Sequence, residues 1–324
     1  MISTRKRVYR SNPGKYGSIA NRDLYSKLTC WFTCLLVIGF VSCKSPNQGA
    51  GSKGMEEAGE DILESVERIE QIKKVYHLIP SPAEMLSVMN IGGLDFDKDL
   101  LNPTSNIEKY FDSKTKTLNL GVYITDLAFA AIFGRHDETI EYLEAVQDLA
   151  EQARVEGAIN EELISRAKGN VQDLDTLFIL SNEAFINMIT YCEETHRSNT
   201  MILITAGAFV ESLYLATSLV GSSAEADYLI QHLADQKYSI DNLLTFAKSL
   251  EDDPNVTDIL ADLKPLEEIY SKLDKSSGET QVKKEGAGKL VIGGGSQPTL
   301  SQEEFEKLRE TVSEIRQGII SGTI

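Results

Sequence analysis

Apolar residues beyond position 55 recur at alternating intervals of three and four, the spacing that places side chains on one face of an α-helix. Within 171–196, this stripe includes Leu174, Phe178, Phe185 and Met188. The same spacing predicts helices over 56–79, 83–90, 118–133, 137–156, 171–196, 200–219, 223–250 and 256–274. Only 8 of the 324 residues are proline, so few positions would interrupt these helices. The pattern therefore predicts an all-α protein, built as a helical bundle or α-repeat.

An internal repeat relates two groups of these helices. The segment GVYITDLAFAAIF begins at Gly121 and resembles GAFVESLYLATSL, which begins at Gly207, an offset of 86 residues (207 − 121). We predict two related three-helix units, about 118–196 and 200–276, within a single helical domain over 55–324. Chance similarity between amphipathic helices is the alternative. The same offset matches Tyr142 and Leu143 with Tyr228 and Leu229, and Leu174, Leu177 and Leu180 with Leu260, Leu263 and Leu266.

The two helices that contain Gly121 and Gly207 differ from their neighbours, because they are apolar on most faces and rich in Ala and Gly. A helix that is hydrophobic all round is typically buried. Small side chains also allow two helix backbones to approach closely. We therefore predict that these two helices lie at the centre of the bundle, covered by more amphipathic helices.

Residues 276–324 combine a β-prone segment with a final helix. Two short β-prone runs, 280–283 and 289–292, flank a Gly-rich turn, so a small β-hairpin near 280–293 or an irregular loop is expected. Ser301 and Glu304 then have the spacing of a capping box, which predicts a helix start. The apolar stripe that follows predicts that this helix docks on the rest of the fold.

The first 54 residues have the pattern of an export signal followed by a linker. Leu28–Val41 is an uncharged, apolar run of 14 residues after a basic stretch, shorter than the roughly 20 residues of a membrane span. Phe40-Val41-Ser42-Cys43 resembles the lipobox of bacterial lipoproteins. The resemblance implies that 1–42 is a signal peptide and that Cys43 is lipidated. Residues 43–54 would then be a flexible tether, whereas an uncleaved anchor is the alternative.

Charge excludes one class of partner. The net charge is −17, and the residues before Cys43 contribute +6, from seven Lys or Arg and one Asp, which leaves −17 − 6 = −23 for the remainder. Such an acidic protein repels phosphate backbones, so we expect no nucleic-acid partner. Cys30 and Cys34 lie within the signal, so Cys192 alone would remain as a free thiol, which we interpret as a small buried hydrophobic residue.

The sequence offers no convincing metal or cofactor site. Asp95, Asp97 and Asp99 match the first ligands of a calcium loop, but Leu100 and Asn106 occupy positions that need Gly and Glu. The four histidines form no HExxH pattern, and there is no phosphate-binding loop. We therefore predict neither metal nor cofactor, and no catalytic residues.

Two carboxylates stand out because they interrupt the most apolar helices. Asp126 and Glu211 have Tyr123 and Tyr214 beside them. Carboxylates in apolar helices are costly unless they are paired or hydrated. If the two helices pack together, these four residues could line a shared polar pocket for a ligand. The alternative is structural: the carboxylates satisfy hydrogen bonds between helices.

Several segments together resemble a family of helical lipoproteins of Gram-negative bacteria for which no activity is established. The motifs are IPSP at 79–82, NLGVY at 119–123, DLA at 126–128 and ESLY at 211–214. The resemblance implies an envelope protein held by the lipid on Cys43. Lys44 stands where lipoproteins retained in the inner membrane carry Asp, which favours the periplasmic face of the outer membrane.

Three functions follow as hypotheses. The leading one is a binding or scaffold module whose helical groove takes an envelope protein or a small ligand. The second is a periplasmic enzyme that uses Asp126 and Glu211 as paired carboxylates. The third is a purely structural envelope component. The location of the two carboxylates separates these hypotheses, since a catalytic or ligand-binding pair must be reachable.

Overall fold

Helices form most of the ordered framework, as the apolar spacing predicts, and the all-α fold is confirmed. The structure is a computed structural model, which describes residues 79–87, 94–170, 173–220, 226–273, 275–276, 281–285, 289–293 and 297–324. All of them fall within one compact unit, Ala58–Ile324. The signal, Cys43, the tether and residues 56–78 of the helix predicted over 56–79 lie outside the described residues.

The described α-helices are, in chain order, α1 (Pro82–Ser87), α2 (Ser113–Ile132), α3 (His136–Gln152), α4 (Glu161–Gly169), α5 (Leu174–Glu194), α6 (Ser198–Val220), α7 (Ala226–Asp235), α8 (Lys237–Lys248), α9 (Pro254–Ser271) and α10 (Gln302–Ser321). Short 3-10 helices span Lys98–Leu100, Thr104–Lys109 and Glu156–Ala158.

Side-chain caps explain where several of these helices begin. The carboxylates of Asp112, Asp173 and Asp253 each accept a hydrogen bond from a backbone N–H in the first turn of α2, α5 and α9. At α10, the capping box predicted from Ser301 and Glu304 is present in both directions. Local sequence therefore explains where these helices begin.

Beyond shifts of up to five residues at helix ends, the helix pattern differs from the prediction in two places. The prediction of a single helix over 223–250 is wrong, because the chain breaks at Gln236 into α7 and α8. There the backbone N–H of Gln236 bonds to Leu233 three residues back, and its buried side chain accepts a hydrogen bond from Ser239. Helix α4 was not predicted, because its short apolar pattern of Leu163, Ile164 and Ala167 covers barely two turns.

Helices α2 and α6 lie at the centre of the bundle, as predicted, and they touch through their glycines. A Cβ atom added at Gly121 would lie 2.0 Å from the carbonyl oxygen of Ile204. One added at Gly207 would lie 2.0 Å from the carbonyl oxygen of Leu118. Any larger side chain at either position would force the two backbones apart.

Helix α6 is the one described helix that is long and apolar enough to cross a membrane. However, 83% of its most apolar window is buried inside the fold, as expected for a core helix.

The two units of the predicted repeat differ in the burial of matching residues. Tyr142 is enclosed in the core, whereas its counterpart Tyr228 is 50% exposed.

The described residues form four short strands before α10. Strands β2 (Gln281–Glu285) and β3 (Lys289–Gly293) pair antiparallel, in the stretch where the sequence predicts a hairpin. Strands β1 (Lys275–Ser276) and β4 (Gln297–Pro298) form a second antiparallel pair. Helix α10 then returns to the core and buries its apolar stripe, which consists of Phe305, Leu308, Val312, Ile315 and Ile319.

Candidate functional site

The packing of α2 on α6 brings Asp126 and Glu211 together inside the core. Both residues have no exposed surface. The hydroxyl groups of their neighbours Thr125 and Ser212 both donate to the backbone carbonyl oxygen of Ala208. The two helices therefore place both carboxyl groups in an enclosed space, where the adjacent Thr125 and Ser212 hydroxyls are already bonded to the backbone.

Glu211 forms an ion pair with Arg316 of α10, and we call Asp126, Glu211 and Arg316 the buried triad. The Nε atom of Arg316 donates to Glu211 Oε2 at 2.7 Å, and Nη2 donates to Oε1 at 3.0 Å. This two-bond geometry is the strongest form of such a pair. Nη2 also donates to the carbonyl oxygen of Leu100 at 2.8 Å, and the guanidinium lies 4.0 Å from the ring centre of Tyr214.

The guanidinium of Arg316 stays charged although its side chain is only 9% exposed. Burial by itself would lower the pKa of Arg316, but the Glu211 carboxylate raises it overall. The sequence carries a signal for this residue, although it was not among the predicted site residues. Arg316 follows Val312 by four and precedes Ile319 by three, so it lies on the apolar face of α10.

Asp126 has a different environment from Glu211. Its Oδ2 atom accepts a hydrogen bond from the backbone N–H of Asn102 at 3.0 Å. Its Oδ1 atom is buried and receives no hydrogen bond from the described residues. Burial raises the pKa of Asp126 well above its ordinary value, and the neighbouring Glu211 raises it further, whereas Arg316 opposes the shift.

Residues 94–112, which we call the covering segment, close over the triad through Asn102. The side chain of Asn102 donates to the hydroxyl of Tyr110 at 2.9 Å and accepts from Asn106 at 2.7 Å. Its carbonyl oxygen accepts from the hydroxyl of Tyr142 on α3 at 2.9 Å. Sequence reasoning did not find Asn102, because it lies in an irregular loop without periodicity.

The remaining two residues of the predicted pocket lie at its edges. Tyr123 is fully buried and donates its hydroxyl to the carbonyl oxygen of Pro103 at 2.7 Å. Burial raises the pKa of Tyr123, which keeps the phenol neutral. Tyr214 is partly exposed and covers the Arg316 guanidinium. All four predicted residues therefore lie in or beside the buried triad, and side chains of the protein fill the space that was predicted to be a pocket.

A small apolar cavity lies elsewhere, between α1, α5 and α6. Its lining includes Met85, Phe185, Thr205 and Phe209, and none of the four predicted pocket residues. Within the described part of the chain, no group of three or more His, Cys, Asp or Glu residues could hold a metal ion. The carboxylate of Asp97 instead caps the first 3-10 helix, accepting from the N–H of Asp99.

Comparison with protein-family models, curated proteins and solved structures finds no match for this chain. The arguments for its function therefore rest on its own residues. The most informative of these is the buried triad, since it contains Asp126 and Glu211, the candidate catalytic pair of the sequence.

Proposed function

We propose that the protein is a non-catalytic binding or scaffold module, tethered by a lipid on Cys43 to the periplasmic face of the outer membrane. The observation that carries the non-catalytic part is the complete enclosure of Asp126 and Glu211. Glu211 is neutralised by Arg316, and Asp126 is bonded to the Asn102 backbone. Both carboxyl groups are therefore bonded within the core, which supports a structural role for the pair.

The enzyme alternative requires a carboxyl group within hydrogen-bond reach of a substrate. In the described structure, Asp126 and Glu211 have no exposed surface, so a substrate would reach neither without a rearrangement of the core. A raised pKa at Asp126 is a property that active-site acids share, but buried structural pairs share it too. Enclosure therefore favours the structural role for this pair.

A separate feature supports a binding role. Ile179 and Ile186 lie seven residues apart on α5, which places them on one face of that helix, and they are 57% and 48% exposed. A protein partner that covers the two isoleucines would remove this apolar surface from water, so we propose this face of α5 as the binding surface.

Affinity purification of the full chain from an envelope fraction, followed by native mass spectrometry, tests the proposal. We expect a stoichiometric protein complex that Ile179→Ser with Ile186→Ser abolishes and that Asp126→Asn leaves intact. Tyr238→Ser, which removes an exposed hydrophobic side chain from α8 and not from α5, is the matched control. A co-purified small molecule that disappears with Asp126→Asn would instead favour a ligand pocket or an enzyme.

Lipidation is tested separately, by metabolic labelling with an alkyne fatty acid in a Gram-negative host. We expect label on the wild-type chain and none on Cys43→Ser, which should also leave the membrane fraction. Sucrose-gradient separation of the two membranes checks the outer-membrane assignment. Label that persists in Cys43→Ser would contradict the proposed anchor.

A further inference from the structure

The buried triad contains one more acid than base. If all three groups were ionised, the core would hold two carboxylates against a single guanidinium, and Asp126 and Glu211 have no exposed surface. An isolated buried carboxylate usually takes up a proton in preference to remaining charged. Since Arg316 donates two hydrogen bonds to Glu211 and none to Asp126, the uncompensated charge would fall on Asp126.

The hydrogen bonds around Asp126 point to the same conclusion. Its Oδ1 atom is buried without a donor among the described residues. Two nearby phenols cannot supply one, since Tyr123 donates to the carbonyl oxygen of Pro103 and Tyr142 to that of Asn102. A proton on the Asp126 carboxyl would turn the unpaired acceptor into a donor toward Glu211.

We propose that Asp126 is protonated in the folded protein at neutral pH and donates a hydrogen bond to Glu211. The buried triad, which holds α10 on the core through Arg316, is then stabilised by this proton and loses that stabilisation as pH rises. This inference goes beyond the proposed function and does not depend on the lipid or on any partner. The neighbouring titratable or charged groups are Glu211 of α6, Arg316 of α10, Tyr142 of α3, Tyr123 of α2 itself, and Tyr110 of the covering segment.

The direction of the pH effect follows from proton linkage. The pKa of Asp126 is raised in the folded protein, whereas an unfolded Asp has a pKa of about 3.9. Between these two values, folding takes up one proton, so the stabilisation is fully present in acid and falls as pH rises to the folded pKa. Over that interval the unfolding constant rises about tenfold per pH unit, or about 1.4 kcal/mol.

Infrared spectroscopy on the purified full chain tests the protonation directly, because a protonated carboxyl and a carboxylate absorb at different C=O stretching frequencies. At neutral pH we expect a protonated-carboxyl band that shifts when aspartate is labelled with ¹³C. The band should be absent in Asp126→Asn. It should also be absent in Glu211→Gln, because Asp126 then becomes the only carboxylate beside Arg316 and ionises. Asp175→Asn, at an exposed position, should keep the band.

Denaturant unfolding across pH supplies the second measurement. We expect the wild-type unfolding constant to rise about tenfold per pH unit relative to Asp126→Asn below the folded pKa. Parallel pH profiles for wild type and Asp126→Asn would overturn the proposal. So would a neutral-pH spectrum without a ¹³C-sensitive protonated band, a result that needs no variant to fold.

Discussion

The contact between α2 and α6 allows a sharp prediction at Gly121. In Gly121→Ala, the new methyl group would lie 2.0 Å from the carbonyl oxygen of Ile204 and 2.7 Å from the backbone nitrogen of Ala208. Ordinary contact begins at 3.4 Å, so the backbones must separate by about 1.4 Å (3.4 − 2.0). Because both obstacles are backbone atoms, no side-chain rotation can relieve the clash.

Overpacking a core by a methylene group typically costs about 1–3 kcal/mol, and more when the surroundings cannot relax. We therefore expect Gly121→Ala to lower the free energy of unfolding by at least about 3 kcal/mol. Gly207→Ala should cost a similar amount, since its methyl group would meet the carbonyl oxygen of Leu118. The double variant should lose less than the sum, because the first substitution already separates the helices.

Urea unfolding of the full chain, followed by circular dichroism, measures these changes. The matched control is Gly169→Ala in α4, where an added Cβ has no atom within 4 Å. Alanine favours helix over glycine by about 0.8–1.0 kcal/mol, so the control should be neutral or slightly stabilising. If Gly121→Ala were as stable as Gly169→Ala, the direct backbone contact between α2 and α6 would be refuted.

Three further predictions concern buried polar groups. Arg316→Met should lower the free energy of unfolding by about 3–5 kcal/mol, because it leaves Glu211 unpaired; adding Glu211→Gln should recover much of that loss, and no recovery would count against the pair. Tyr142→Phe removes the hydrogen bond to Asn102 and should cost about 1–3 kcal/mol in the same assay, whereas an unchanged midpoint would contradict that bond. Burial raises the pKa of the Cys192 thiol to about 11, so a thiol reagent at neutral pH should label it only after unfolding, and rapid labelling of the native protein would contradict its burial.

Periodicity was sufficient for the main helices because their burial is one-sided or complete over many turns. The glycine-led pair could also be placed at the centre, since Gly121 and Gly207 occur at matching positions in helices without a polar face. The break at Gln236 could not be predicted, because the apolar stripe continues from α7 into α8. The buried side chain of Gln236 sets that boundary, since it donates to the carbonyl oxygen of His232 and accepts from the hydroxyl of Ser239.

The two carboxylates were identifiable as unusual, but their partners were not. Arg316 lies 105 residues beyond Glu211, and no local rule connects positions so far apart. Asn102 reaches Asp126 and Tyr142 through its backbone N–H and C=O groups, which every non-proline residue carries. The sequence could therefore locate the two carboxylates, whereas only the fold could show which groups bind them.

The distance between Glu211 and Arg316 along the chain has a consequence for biosynthesis. A nascent polypeptide that has emerged as far as α6 carries an acid whose counterion has not yet been translated. Until residue 316 is available, water is the better environment for that acid, and the central helix pair cannot close stably around it. We therefore expect the central helix pair to close only late in synthesis, once residue 316 has been translated.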